Sequence, residues 1–214
     1  MYTGPNPGTQ TRHSGLGDRS VKLRANFVIL AAAGWCASCT TAPDAPLALK
    51  TEKPFASAGS IEMQLTGGNY NIRPAGGDQI RISFGGNTGN ATADLTTSGT
   101  HANLVVRDAP QSNFKATIEV PKTSDLVIHL AAGNLDVAAI TGSKDLDSKA
   151  GNLEVAVGSA SDYSSVDATV TVGNLDGGPF GDSGSGGVAH HLTWSGKGKY
   201  TLRASLGAGN LELK

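Results

Sequence analysis

The chain has 214 residues, 17 basic and 18 acidic side chains and a net charge of −1, so its length fits one domain with a tail. The near-zero charge gives no electrostatic reason to expect a nucleic acid or an anionic surface as partner. Glycine contributes 29 residues, about twice its ordinary share. Aromatic residues make up only 5% and charged residues 16%. This composition favours many tight corners around a narrow aliphatic interior.

The N-terminal segment has the pattern of an export signal. Residues 1–20 are polar and fit no signal, whereas Lys22 and Arg24 precede an apolar run at 27–37. This run is shorter than the roughly 20 residues of a membrane-spanning helix and is typical of a secretory signal. The pattern predicts that translation begins at Val21, and that residues 1–20 are a mis-assigned or disordered extension.

The signal ends in a segment that resembles the lipobox of bacterial lipoproteins. The small residues Ala37 and Ser38 directly precede Cys39. The resemblance implies a signal peptide at 21–38 and lipid modification of Cys39 as the first mature residue. Plain secretion without a lipid is the alternative. A redox or metal-binding pair of Cys36 with Cys39 is disfavoured, because such a pair should open a helix in a folded domain rather than end a leader.

The remainder of the chain divides into a tether and an all-β domain. Residues 39–54 are rich in Pro, Ala and Thr, and are predicted to tether residues 55–214 to the membrane. Apolar residues then alternate with polar ones, which is the period of β-strands. The clearest alternating runs are 60–65, 79–84, 114–120 and 125–131.

One short phrase recurs four times. Its copies are AGNLDV at 132–137, AGNLEV at 150–155, VGNLDG at 172–177 and AGNLEL at 208–213. Successive glycines are separated by 18, 22 and 36 residues. A unit this short becomes stable only when copies stack. The repeat predicts a right-handed parallel β-solenoid, or β-helix, with short strands and Gly-Asn corners. An antiparallel sandwich with glycine-rich hairpins is the alternative.

The solenoid assigns each repeat position to the inside or the outside, because side chains alternate along a strand. Stacked asparagines of the corners are expected to form a hydrogen-bonded ladder. Two looser copies are predicted, GGNYNI at 67–72 and HANLVV at 101–106. The residues expected inside are Leu135, Val137, Leu153 and Val155, and those expected outside are Asp136 and Glu154.

The stretch from Thr117 to Val155 also resembles the adhesin-type domains of bacterial envelope proteins, many of which have no known function. Val120-Pro121 and the four corners carry the match, which covers roughly 55–214 and is strongest from 116 to 176. The resemblance implies a β-solenoid, an envelope or surface location and a role in adhesion. It implies no catalytic residues.

Two motifs have catalytic or metal-binding alternatives. The Gly-rich segment 177–187 contains GDSG, which is similar to the nucleophile segment of serine proteases. That chemistry also needs a His base and an Asp, and neither His101 nor His129 lies in such a context. A flexible surface loop is therefore favoured. His190 and His191 are adjacent, so on a strand their side chains point to opposite faces and do not converge on one metal ion.

The acids of the repeat form a candidate binding site. In a stack, acids at the same position of successive repeats would lie about 4.8 Å apart. Like charges at that distance repel each other unless they are neutralised. Water and four basic residues, Lys144, Lys149, Lys199 and Arg203, are candidates for that neutralisation. A stripe that binds a divalent cation or a cationic partner is the sharper hypothesis. Its residues are Asp136, Glu154, Asp176 and Glu212.

The sequence ends inside a repeat copy, AGNLELK at 208–214. A final strand with no covering element exposes free backbone groups that pair with other strands. The charges of Glu212 and Lys214 are expected to disfavour such pairing. A monomer is therefore the expectation, with end-to-end self-association as the alternative.

These features predict an exported, lipid-anchored and non-enzymatic module of the bacterial cell envelope, at the outer membrane or the periplasmic face, with a structural or adhesion role. The expected partners are the membrane, through the lipid, and a protein or glycan. No cofactor and no nucleic acid are expected. A periplasmic sensory or regulatory binding domain is the alternative. A carbohydrate-active β-helix enzyme is disfavoured because the rod is short.

Overall fold

The computed structural model describes residues 47–181, 183–184 and 186–214. The predictions for Val21, for the signal peptide 21–38 and for Cys39 lie outside these residues. The strands are β1 (Ala48–Pro54), β2 (Gly59–Leu65), β3 (Gly68–Pro74), β4 (Gln79–Gly86), β5 (Thr92–Ser98), β6 (His101–Arg107), β7 (Phe114–Val120), β8 (Ser124–Leu130), β9 (Gly133–Val137), β10 (Lys144–Val155), β11 (Tyr163–Asp176), β12 (Ser183–Gly184), β13 (Val188–Ser195) and β14 (Tyr200–Leu213).

The fold is all-β, as the sequence predicts. Within the described residues the helical structure consists of two 3-10 turns, Ala160–Asp162 and Gly178–Phe180. Over the same part of the chain there is no helix with the length and apolarity that crossing a membrane requires.

Parallel, in-register pairing builds a stack of coils, in which five coils with a Gly-Asn corner follow a first layer formed by β6 and β7. A coil is one strand pair, or one long bent strand, that contributes one layer to both faces of the stack. The pairing runs from β2 and β3 to β8 and β9, then to β10, to β14 and to β11. The corner glycines align across all of these coils, from Gly68 to Gly173. The Gly-Asn corners therefore lie where the stacking of the repeats predicts.

The order of the coils differs from the order of the chain. The C-terminal strand β14 lies between β10 and β11, so it is paired on both sides. The prediction of an uncovered final strand is therefore wrong. The physical reason is the interval of 22 residues between Gly151 and Gly173, which is four longer than the first repeat interval. Four extended residues reach about 13 Å, enough to pass one coil spacing of about 4.8 Å.

The sheet is mixed, so a parallel β-solenoid is not confirmed for the whole chain. Beside the parallel stack, β4 pairs antiparallel with β1 and β7. β5 likewise pairs with β6, and β11 pairs with β12 and β13. The segment HANLVV also differs from its prediction as a looser corner copy. It lies in β6, which pairs in parallel with β2. Because β2 precedes the Gly68-Asn69 corner of its coil, the segment does not align with a corner.

The folded part begins earlier than the predicted boundary at residue 55. Residues 48–54, assigned to the tether, form β1 along β4. This strand is mostly exposed, and its sequence ALKTEKP lacks the apolar alternation by which strands are recognised. Backbone pairing and the ion pair from Arg81 to Glu52, at 3.1 Å, hold it in place.

The interior follows the predicted alternation. Leu135, Val137, Leu153 and Val155 are buried, Asp136 is exposed and Glu154 is half-buried, which confirms the predicted faces. Aromatic rings fill the end of the stack near β4 and β7, where Phe84 and Phe114 have ring centroids 5.0 Å apart. At the opposite end, Phe180 packs between Tyr163 and Trp194.

Candidate functional site

The corner asparagines form a continuous ladder along the stack, as predicted. Each side-chain amide donates to the side-chain oxygen of the asparagine on the next coil, over 2.6 to 2.8 Å. Both ends of the ladder are bonded. Asn69 donates to the carbonyl oxygen of Phe114, and Asn174 accepts the N–H of Gly186. The ladder residues, in spatial order, are Asn69, Asn134, Asn152, Asn210 and Asn174.

The four acids of the repeat lie side by side, two residues beyond the ladder. Register pairs Asp136 with Glu154, Glu154 with Glu212, and Glu212 with Asp176. Asn71 occupies the same position on the coil formed by β2 and β3. The structure thus brings together all four residues of the predicted stripe, in a row parallel to the ladder. Together these two rows are called the polar face below.

Neutralisation of the acid row comes from residues other than those expected. The Nζ atom of Lys214 lies 2.6 Å from Glu154 and 3.5 Å from Glu212. The hydrogen bond to Glu154 is the main cause that raises the pKa of Lys214. Asp136 instead accepts a hydrogen bond from the amide of Asn71, at 2.9 Å. At the far end, Asp176 accepts the backbone N–H of Gly178 at 3.0 Å.

None of the four basic residues considered from the sequence has a described ion pair with these acids. Lys144 is buried inside the stack. Register places Arg203 and Lys149 before the corner, so they lie on other parts of the coils. Position along the chain does not indicate which half of a coil a basic residue occupies, so the sequence alone does not identify the partners of these acids.

A groove of about 630 Å³ opens over one end of the polar face. Amides, carboxylates and basic groups line it together with Leu47, Tyr70, Ala116 and Leu135. At the edge of the groove, the Nε–H of Arg73 donates a hydrogen bond to the side-chain oxygen of Asn71, at 2.6 Å. The polar residues that line it include Asn69, Asn71, Arg73, Lys115, Thr117, Asn134, Asp136, Asn152 and Glu154.

The polar face presents hydrogen-bonding groups at a fixed spacing of about 4.8 Å on a paired backbone. Each ladder asparagine uses one amide hydrogen in the ladder, and a side-chain amide has two. Such an array suits recognition of a polar partner. In the described parts of the chain, no group of three or more His, Cys, Asp or Glu side chains has an arrangement that could hold a metal ion. Cation binding by the acid row stays a prediction.

The other candidate motifs do not converge on this face. His191 lies 3.3 Å from Asp167, whereas the ring of His190 is half-buried against Gly184. His129 lies on a different strand, 4.0 Å from Asp147. In the Gly-rich segment 177–187, residues 182 and 185 and the side chain of Ser183 are outside the described part of the chain.

A buried lysine lies inside the stack, away from the polar face. Lys144 is 1% exposed, and its ammonium donates to the carbonyl oxygens of Ile140 and Gly142 and to the hydroxyl of Tyr163. These three bonds use all three ammonium hydrogens. Burial lowers the pKa of Lys144 to about 8, although Asp125 and Asp162 act in the opposite direction. Burial also raises the pKa of Tyr163 to about 12.

The lowered pKa of Lys144 predicts that the protein becomes more stable from pH 8 to pH 10. In this range the unfolded chain, with an ordinary lysine pKa, binds more protons than the folded chain, so the free energy of unfolding rises with pH. The expected gain is about 2 kcal/mol. Tyr163 loses its contribution only above pH 10, so it does not mask the rise. Urea unfolding of the full chain at several pH values measures it.

Lys144→Met is the control, because methionine fills a similar volume and does not titrate. Its unfolding free energy should not rise over the same range. Equal slopes for the two proteins would show that the rise comes from other groups.

Sequence reasoning missed three residues at the groove: Asn71, Arg73 and Lys115. Asn71 is predictable from the sequence, because GGNYNI is a looser copy of the repeat and Asn71 stands where the other copies have an acid. Arg73 and Lys115 had no such signal. Lys115 lies on β7, whose pairing with β3 is a long-range contact. Lys214 was also predictable, because on a strand it shares a face with Glu212.

The sequence matches no family model, and it matches no curated protein. Solved structures that are similar to the chain include the following two. One is named a putative cell adhesion protein from Clostridium sporogenes, with 12% identity, a TM-score of 0.49, and coverage of 79% of this chain and 100% of that one. The other is named a putative adhesin from Bacteroides fragilis, with 9% identity, a TM-score of 0.24, and coverage of 79% and 97%. Similarity at this level assigns no function to the chain.

Proposed function

We propose that this protein is an exported, lipid-anchored module of the bacterial cell envelope that acts in adhesion by binding a protein or glycan through its polar face. The proposal carries no catalytic step. The observation that carries it is that a ladder over five coils runs beside an acid row over four of them. A groove lined in part by amides, carboxylates and basic groups lies next to these rows.

The fold that carries the polar face is also part of the proposal. We infer a right-handed β-solenoid core, flanked at both ends by antiparallel strands. Its support is the in-register alignment of five Gly-Asn corners and the ladder that joins them. Paired backbone on both sides keeps the side chains of the face in place before a partner arrives, which lowers the entropy lost on binding.

The bonding within the face supports recognition without catalysis. Glu154 and Glu212 share Lys214, and Asp136 is bonded to Asn71. Each of these three carboxylates therefore already has a polar partner within the face. Partly exposed amides and carboxylates in a groove are the groups that orient a polar ligand by hydrogen bonding.

The anchor rests on the segment around Cys39, and the adhesion role is supported by the resemblance of residues 117–155 to adhesin-type domains. One experiment on producing cells tests both. Membrane fractionation reports the anchor, and attachment of the cells to a surface and to each other reports adhesion. The face variant is Asp136→Asn with Glu154→Gln, and the anchor variant is Cys39→Ala.

We expect the face variant to stay in the membrane fraction and to lose attachment several-fold. Cys39→Ala should leave the membrane fraction or fail to mature. The matched control is Asp145→Asn with Asp147→Asn, which removes two exposed acids from the other half of the coil that carries Glu154. If control and face variant attach equally, the polar face is not the adhesive surface. If Cys39→Ala fractionates like the unchanged protein, the lipid anchor is wrong.

A further inference from the structure

The edges of the sheet are protected unequally. Two described edge strands, β1 and β5, lie near each other, and β1 carries Lys50, Lys53 and Pro54. Lysine and proline are the residues by which proteins block the pairing of edges. The third edge strand, β13, has the sequence VAHHLTWS and pairs with β11 on one side. It has eight residues and contains no lysine, arginine, acid or proline.

Backbone direction identifies the unpaired groups of β13. The N–H of Gly196 donates to the carbonyl oxygen of Ser164 on the β11 side, at 2.9 Å. Backbone groups alternate in direction along a strand. The even-numbered residues 190–194 therefore point to β11. The N–H and C=O groups of His191, Thr193 and Ser195 point away from the sheet. Ala189 has a φ of 62°, which ends the regular strand before them.

We propose that two copies of this chain pair antiparallel through β13, about a two-fold axis at Thr193. An edge that meets its own copy about a two-fold axis is self-complementary. This register pairs Thr193 with Thr193 of the second copy and His191 with Ser195. It uses all three outward-pointing residues of each copy. A register centred on His191 would leave Ser195 unpaired and place two histidines opposite each other.

Side chains favour the same register. Leu192 lies on the inner side of the strand and is buried, and Trp194 is half-buried beside Phe180. In the proposed pair, Leu192 of one copy faces Trp194 of the other, and aliphatic–aromatic pairs across strands are favourable. No two like charges face each other across the axis. The occupant is therefore a second copy rather than a strand of another protein.

The pairing is expected to be weak between copies free in solution and stronger between copies attached to one membrane. Six residues from each copy bury less than the roughly 1,000 Å² of a stable interface. Copies held on one membrane meet at a high effective concentration, which favours a weak contact. The end of the stack that β13 covers thus replaces the C-terminal strand as the site of end-to-end association.

Cysteine cross-linking in intact cells tests the register. In a hydrogen-bonded antiparallel pair the Cα atoms of residues 193 lie about 5.5 Å apart, within the range of a disulfide. Residues 195 of the two copies would be four positions out of register, about 14 Å apart. Thr193→Cys and Ser195→Cys are therefore matched variants of the full chain. Both positions are exposed and lie on the same face of the strand. The unchanged chain, which contains Cys36 and Cys39, is the blank.

After mild oxidation, Thr193→Cys should give several-fold more covalent dimer than the blank, and Ser195→Cys should give no excess. Equal dimer yields for both variants, or no excess for Thr193→Cys, would overturn the proposal. So would disulfides from residue 193 to other proteins without a dimer. Sedimentation of the purified full chain in detergent gives a second measurement. Thr193→Lys, which places two charges at the axis, should weaken association at least tenfold, and unchanged association contradicts the pairing.

Discussion

Gly151→Ala is expected to destabilise the protein by more than about 4 kcal/mol, or to prevent folding. Gly151 has a φ of 129°, a backbone conformation that strains any other residue. A Cβ atom there would also overlap the carbonyl oxygen of Gly133 on the neighbouring coil. Neither group can move away, because both belong to backbone that is paired within the stack. Urea unfolding of the full chain measures the loss.

Two other glycines separate the overlap from the backbone strain. Gly158 has a φ of 75° and open space where a Cβ would stand, so Gly158→Ala should cost only about 1–2 kcal/mol. Gly76 has open space and no positive φ, so Gly76→Ala should be close to neutral. A Gly151→Ala protein that unfolds like Gly158→Ala would show that the coils are not in contact at this corner.

Leu153→Ala is expected to cost about 2–5 kcal/mol, because it leaves a cavity inside the stack. Leu153 is 1% exposed, and its register neighbours Leu135 and Leu211 are also buried. The backbone of its coil is paired on both sides, which limits collapse around the cavity. Urea or thermal unfolding gives the difference in free energy.

Glu154→Ala is the matched control for this prediction, one residue along the same strand. It removes the ion pair with Lys214, in which both side chains are nearly half-exposed, and such pairs are worth about 0–1 kcal/mol. If the two variants lose equal stability, the assignment of alternate residues to core and surface is wrong.

Local patterns predicted the local features of the fold. The alternation in LVIHLA and the Gly-Asn corners placed Leu135 and Leu153 inside and the acids outside. The asparagine ladder followed from the alignment of corners. These predictions succeed because strand periodicity and corner geometry depend on neighbouring residues.

The long-range pairings were beyond the sequence. The repeat at 208–213 is identical in character to the others, so no residue in it indicates that its coil lies between two earlier ones. The exposed strand β1 lacks an apolar face and was assigned to the tether. The same limit applies to the groove, since Lys115 reaches it through pairing between β7 and β3.

The insertion of β14 between β10 and β11 has a consequence for the order in which the chain folds. Synthesis delivers the coil of β11 about 37 residues before β14 begins, because β11 starts at residue 163 and β14 at residue 200. Until the last residues arrive, neither β10 nor β11 has its final neighbour on that side. The junction of β10 with β11 is therefore the last part of the stack to close, in a step that joins segments distant in the chain and is slow for that reason. A chain without β14 would leave the coil of β11 without its partner and separate it from the coils before it.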